Sequence, residues 1–535
     1  MNKISLPAQK LAEKYRISTE TKENSQTIHV DEVASRVAAF YEKIRGIIDW
    51  KEEHLLKRRA IERILKRRIF SKMALTEEGI SGNCNFAEPF VMELIRGGHF
   101  PNDKIEESKI KEVQDAINKY IFIIRVCQKK EEKSKIELYS WLTEIAACEI
   151  EEILSPSIRE RALMDYMTEA MKERIKISDN ILEQTKITEE EKKEQTYIAA
   201  QRALFKLDPS VITYHILKRT YSDWKNMSRE KLSDIAENIY EIKENMDKVL
   251  EHPISDKFYQ IAEKYDTPFL LLGDALSASE DLFSSPENLE KEISRAYKKR
   301  VSTLKKRLGR AALYSTLSIF LTNIVSLFII EIPFNKWITG YYFNMSAMLI
   351  DIFVPTFLMF FLVATVRPPS KENLPRVIME VMKIVYEKEL NTYEIKSFGK
   401  KKNIFLWGII NTIYLICSAL IISLIVWGLS KVNFPPLSHI IFIIFFALIA
   451  FAGTKIRQRA KELQVIEERE SFLHFFTDPF AIPIIQLGKW LTLKWKKYNI
   501  IAVFFSALID MPFTVFVEFI EQWRYFIKEK KEKIH

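Results

Sequence analysis

Glycine is scarce in this chain, with 13 in 535 residues, against an average of roughly 7%. Sandwiches, propellers and dinucleotide-binding units depend on Gly-rich turns, so these folds are disfavoured and an all-α protein fits best. Cysteine is scarcer still. Cys84, Cys127, Cys148 and Cys417 have no C-x-x-C spacing, which argues against a zinc site or a disulfide framework and for reduced thiols. The eight histidines are dispersed, with no H-E-x-x-H pair. Gly97-Gly98-His99 lacks the lysine and hydroxyl residue of a phosphate loop and reads as a turn. No catalytic, metal or cofactor signature stands out, and the sequence leans away from an enzyme. The N-terminus, MNKISLPAQKLAEKYRISTETKENSQ, has no apolar core of the kind a cleavable signal peptide needs.

Long apolar runs are what the chain does have. Ala311 to Ile330 holds 20 residues without a charge, enough helix to cross about 30 Å of hydrocarbon. Three comparable runs follow at 343–366, 404–428 and 437–453, and of these only the second holds a charge, Asp351. Core helices of soluble proteins do not stay uncharged four times in succession, so four membrane spans are expected. The reading is a flexible segment 1–27, a helical cytoplasmic domain 28–285, a basic juxtamembrane helix 286–310, the membrane domain 311–453 with a loop at 367–403, and a tail at 454–535.

Charge sets the expected orientation. The approach to the first span carries Lys298, Lys299, Arg300, Lys305, Lys306, Arg307 and Arg310, and the loop 367–403 carries nine Lys/Arg. After the fourth span come Lys455, Arg457, Arg459 and Lys461, whereas the other two loops hold one lysine each, Lys336 and Lys431. Basic loops stay inside, so a multi-pass inner-membrane protein with both termini cytoplasmic is expected. Trp337, Tyr341, Tyr342, Trp407 and Trp427 fall near span ends, where aromatic belts sit.

The tail is expected to hold interfacial or re-entrant helices. Tyr498 to Phe526 is apolar but contains Asp510, Pro512, Glu518 and Glu521, and as a fifth span it would leave KEKKEK outside. From Phe513 on, Phe516, Phe519, Ile520, Trp523, Phe526 and Ile527 follow helical spacing, an amphipathic pattern. The interval from Pro479-Phe480 to Trp490 matches that from Pro512-Phe513 to Trp523, a weak hint of related hairpins.

In the soluble part, Val33, Val37, Phe40, Tyr41, Ile44 and Ile48 repeat at helical spacing, ahead of the basic run KRRAIERILKRRIFSK. That run reads first as a solvated helix face, then as a membrane contact, and nucleic acid is unlikely as its ligand because few aromatics interleave it. Ser285 before Pro286 has the form of an N-cap with proline at the first helical position, opening a helix that runs into the first span.

Asp351 is the main candidate site residue, since an ionisable group in a span is costly and usually functional. At 1.5 Å per residue, Asn323 on the antiparallel first span lies at nearly its depth. The pair reads as helix glue first and as an ion or proton relay second. Glu144, Cys148 and Glu152 share a helix face beside Glu151, but metal binding would want an E-x-x-H partner helix that the sequence lacks. The seven basic residues before the first span are candidate contacts for anionic lipid head groups. The leading functional expectation is a membrane-anchored cytoplasmic scaffold with protein partners; the alternatives are a transporter or channel component using Asp351, and a lipid-handling enzyme.

Overall fold

The structure is a computed structural model that describes residues 4–18, 26–30, 53–73, 86–127, 132–178, 187–279, 281–340, 345–386, 392–395, 404–465 and 472–497, with five single positions between 519 and 530. It is overwhelmingly helical. The periodicity at Val33 to Ile48, Cys84, Tyr341, Tyr342 and most of the apolar and amphipathic patterns of 498–527 lie outside the described residues.

The chain forms two compact units. One comprises Lys10–Lys172 and Ile187–Glu263 together with Ile500–His535. Its helices are α2 (Glu53–Met73), α3 (Ala87–Arg96), α4 (Ser108–Val126), α5 (Glu132–Leu154), α6 (Ile158–Lys172), α7 (Glu189–Phe205), α8 (Pro209–Thr220), α9 (Arg229–Leu250) and α10 (Ser255–Glu263); α1 (Leu6–Ile17) begins in the other unit and ends in this one. Side chains set several of the starts. Thr188 and Glu191 form a reciprocal capping box at α7, Asp208 caps α8 ahead of Pro209, and Ser228 caps α9. A continuous apolar core runs through Phe90, Ile117, Leu142, Ile145, Trp224 and Ile239. The turn expected at Gly97-Gly98 is present, with Gly98 at φ 73°.

Inside this core lies a closed polar network. The Lys119 ammonium donates to both Glu149 oxygens, at 2.7 and 2.8 Å, and to the Trp224 carbonyl at 2.8 Å. The Tyr120 hydroxyl donates to Glu149 Oε2 at 2.7 Å, and the Trp224 indole N–H reaches the same oxygen at 3.2 Å. One positive charge meets one negative charge, with one donor on Oε1 and three on Oε2, which is what keeps a buried ion pair affordable.

The other unit comprises Met1–Gln9, Glu173–Lys186 and Lys264–Asn499. It contains α11 (Asp266–Ala278), α12 (Pro286–Ser326), α13 (Met345–Ala364), α14 (Asn373–Tyr386), α15 (Ile404–Ser430), α16 (Pro436–Ala460) and α17 (Phe472–Lys497). Two short parallel strands, β1 (Ile175–Ile177) and β2 (Tyr393–Ile395), pair Ile175 with Tyr393. The Ser285 hydroxyl accepts from the Asn288 N–H and Pro286 takes the first turn, as the sequence predicts. α12 then runs 41 residues, a rod of about 61 Å.

Among the described residues, four helices are long and apolar enough to cross a membrane: the continuous helix Pro286–Trp337, α13, Gly408–Ser430 within α15, and α16. The first does not stop at Ile330. It continues through π-turns at Leu327–Glu331 and Asn335–Thr339, on either side of Ile332–Phe334, and ends at Gly340 with φ 64°. Pro333 lies between the two π-turns; proline lacks the N–H that regular winding needs, and a widened turn accommodates it.

α12 and α13 are antiparallel, with Phe320 against Phe353 and with Ala312 and Leu308 packed in the cluster of Met359 and Val363. α16 joins that cluster through Ile449 and Ile456. α17 lies along α16 and α15. At Gly488 a β-carbon would collide with the Ala447 carbonyl oxygen, so the backbones of α17 and α16 touch there and only glycine fits.

Candidate functional site

The most unusual chemistry sits where α12, α13 and α16 meet. Asn323, Ser326, Glu331 and Asn335 come from the first helix and its π-turns, Asp351 from α13 and Ser438 from α16, and all six are buried. The π-turns matter because they keep helix going past Ile330 and so bring Glu331 and Asn335 onto the inward face.

Asn323 and Asp351 do meet, though not through the carboxylate. Pro355 lies inside α13 and has no N–H to give the carbonyl four residues earlier, which is that of Asp351. Asn323 Nδ2 donates to this freed carbonyl at 3.3 Å. The asparagine is therefore glue of a specific kind, satisfying an acceptor that proline exposed in an apolar bundle.

Glu331 was not among the sequence candidates. Its Oε1 accepts from the Ser326 hydroxyl at 3.0 Å, and its backbone carbonyl accepts from Asn335 Nδ2 at 2.8 Å. The same Nδ2 reaches Ser438 Oγ at 3.4 Å. Glu331 Oε2 and Asn323 Oδ1 are buried with no hydrogen-bond partner among the described residues. Side chains on a helix lean toward its N-terminus, so on antiparallel helices Glu331 and Asp351 lean toward each other. Among the described residues no Lys or Arg forms an ion pair with either carboxylate.

The remaining sequence candidates lie elsewhere. Lys298, Lys299, Lys305, Lys306, Arg307 and Arg310 are exposed along α12, whereas Arg300 donates from Nη2 to Asp274 at 2.9 Å. The basic run on α2 is largely answered by acids: Arg58 pairs with Asp208, Lys66 with Glu62, and Arg67 and Arg68 with Glu93.

Glu144, Cys148, Glu151 and Glu152 do not gather around a metal site; among the described residues no group of three His, Cys, Asp or Glu could hold an ion. Glu144 accepts from Ser210 at 2.6 Å, and Glu152 takes Lys218 at 2.6 Å and Arg161 at 2.7 Å. Burial would raise the Glu152 pKa, but the Lys218 hydrogen bond and Arg161 outweigh it and hold the carboxyl below its usual value. Glu151 and His215 line a neighbouring cleft of about 180 Å³. Burial pushes Glu151 up to about 7 against the pull of Arg58, and pushes His215 down to about 4.

No protein-family model matches this sequence, and neither a curated protein nor a solved structure resembles it. The functional reading therefore rests on the buried carboxylates of the apolar bundle.

Proposed function

We propose that the chain is a multi-pass membrane protein whose helical bundle handles a cation at Glu331 and Asp351, and so serves as a transporter or channel component. The observation that carries this is the presence of two carboxylates in one apolar bundle without a basic partner among the described residues. A polar group that only glues helices is fully paired, because an unpaired one costs too much in hydrocarbon. Two acids in one bundle with no basic partner among the described residues are the mark of a pathway for a positively charged species.

Charge distribution supports the orientation that goes with this reading, with the N-terminus and the 367–403 loop in the cytoplasm. On the same reading the exposed lysines and arginines of α12 lie at the inner surface, where each contributes about 1 kcal/mol toward anionic head groups. The scaffold reading takes second place because its motive was a lack of chemistry, and Glu331 supplies some.

The test is reconstitution. Purified protein in proteoliposomes is expected to carry an ion-dependent current under an imposed potential, and Asp351→Asn is expected to remove it. A wild-type protein that moves no ion would end the proposal.

A further inference from the structure

We infer that the cleft at the junction of α5, α6 and α8 is a binding site for a small organic cation, a primary amine carrying a short apolar tail. The inference is independent of the bundle carboxylates, because every residue it uses belongs to the unit that holds the Glu149 network.

The cleft measures about 180 Å³. A cavity of roughly 150 Å³ takes a benzene ring, so an occupant of about six non-hydrogen atoms fits. Met164, Phe205, Leu207 and Val211 supply an apolar wall. The polar wall comes from α5 and α8, and there hydrogen bonds are left open. Glu152 is 8% exposed; its Oε1 takes Lys218 and Arg161, while its Oε2 is buried with no partner among the described residues. Tyr214 is 1% exposed, and burial and the nearby Glu152 charge hold its proton on, yet its hydroxyl makes no hydrogen bond among the described residues. His215 donates from Nδ1 to Gln201 Oε1 at 2.5 Å, and burial keeps the ring neutral, so Nε2 is an acceptor.

These groups call for donors. Two carboxylates, an imidazole nitrogen and a hydroxyl can all accept, whereas the cation in the wall, Arg58, is already paired with Asp208. An ammonium brings three N–H bonds and no lone pair, which is the complement of such a wall. Charge agrees. Around Glu151, Arg58 and Lys57 face Asp208, Glu160 and Glu151 itself, two bases against three acids. Burial holds Glu151 up at about 7 against the pull of Arg58, so near neutral pH its carboxyl is half protonated. An arriving ammonium takes the place of that proton: the carboxyl O–H bond breaks, the proton leaves to solvent, and an N–H of the amine meets the oxygen. The Glu152 charge is answered by Lys218, Arg161 and Lys225, so this residue contributes a lone pair rather than a spare charge. His215, faced by Glu152, Arg161, Lys218 and Asp165, titrates near 4, and Glu152 lies below the usual carboxylate range. Of the three, Glu151 is the one that changes charge between pH 6 and 8.

The test is calorimetric titration of the full-length protein in detergent with n-butylamine hydrochloride, and with 1-butanol as an uncharged probe of the same shape. One butylamine per chain is expected to bind, about tenfold more tightly at pH 8 than at pH 6, the ratio that a single group titrating near 7 imposes. Saturable binding of 1-butanol is not expected. At pH 6.5, titrations in two buffers of different ionisation enthalpy are expected to count most of one proton released per amine, a readout that needs no variant. Glu151→Gln is expected to bind more weakly and equally at both pH values, Tyr214→Phe to bind several-fold more weakly, and Asp351→Asn to bind like wild type. Absence of butylamine binding would overturn the inference, and so would 1-butanol binding as tightly as the amine or binding without proton release. Binding lost in Asp351→Asn but kept in Glu151→Gln would place the amine in the apolar bundle and overturn the cleft as its site.

Discussion

Two buried polar clusters among the described residues are built on opposite plans. Around Glu149 every charge is answered: Lys119, Tyr120 and Trp224 converge on one carboxylate inside an apolar core. Around Glu331 the donors are hydroxyls and amides, oxygens are left over, and among the described residues no cation answers the two carboxylates. A closed network specifies a packing and resists change; an open one holds its groups ready for a visitor. Burial alone does not separate the two cases, and the charge balance does.

The comparison predicts unequal costs of mutation. Lys119→Met is expected to be the most damaging change, because it strands Glu149 in the core, and a stranded buried charge costs about 3–5 kcal/mol. Chemical denaturation followed by tryptophan fluorescence measures this, and a loss under about 1 kcal/mol would mean the network is not closed.

The cleft beside it gives an intermediate effect. Between pH 4.5 and about 7 the folded state holds a Glu151 proton that the unfolded chain has released, so this group makes stability fall as pH rises. Between about 4 and 6.5 the unfolded chain holds a histidine proton that buried His215 refuses, so that group makes stability rise with pH. Each slope is at most about 1.4 kcal/mol per pH unit, and where they overlap they oppose. Glu151→Gln is therefore expected to lose stability on acidification from 6.5, and His215→Gln on alkalinisation from 4.5, each relative to a flatter wild type. Melting curves across this range check the prediction; parallel profiles for all three proteins would refute it.

The smallest effect belongs to the open cluster. Glu331→Gln removes an unanswered carboxylate and keeps the shape, so thermal stability in detergent is expected to change by less than about 1 kcal/mol or to rise. A large loss would show that Glu331 is structural after all, closing the gap between the two clusters.

How much of this could be read from the sequence follows from what each feature depends on. The helices were legible because glycine is scarce and the apolar runs are long, and the Ser285-Pro286 start because a cap is a local pattern. Asp351 was legible as the one charge in its run. Glu331 was not, since it sits at the edge of an apolar run two residues before a proline, which resembles a span ending. Only the π-turns, which let the helix continue past that proline, turn it inward. Lys119 and Glu149 were hidden for a different reason: in a chain this rich in lysine and glutamate, nothing local separates the pair that meets in the core from the pairs that meet water.

The contact of Gly488 with Ala447 reaches into how the protein is made. α17 carries Asp478, Lys489 and Lys494 and two prolines, so its hydropathy alone gives an insertion machinery little reason to select it. What holds it is shape, a bare stretch of backbone fitted to a carbonyl on a helix synthesised some forty residues earlier. A side chain at Gly488 would therefore push α17 away from α16.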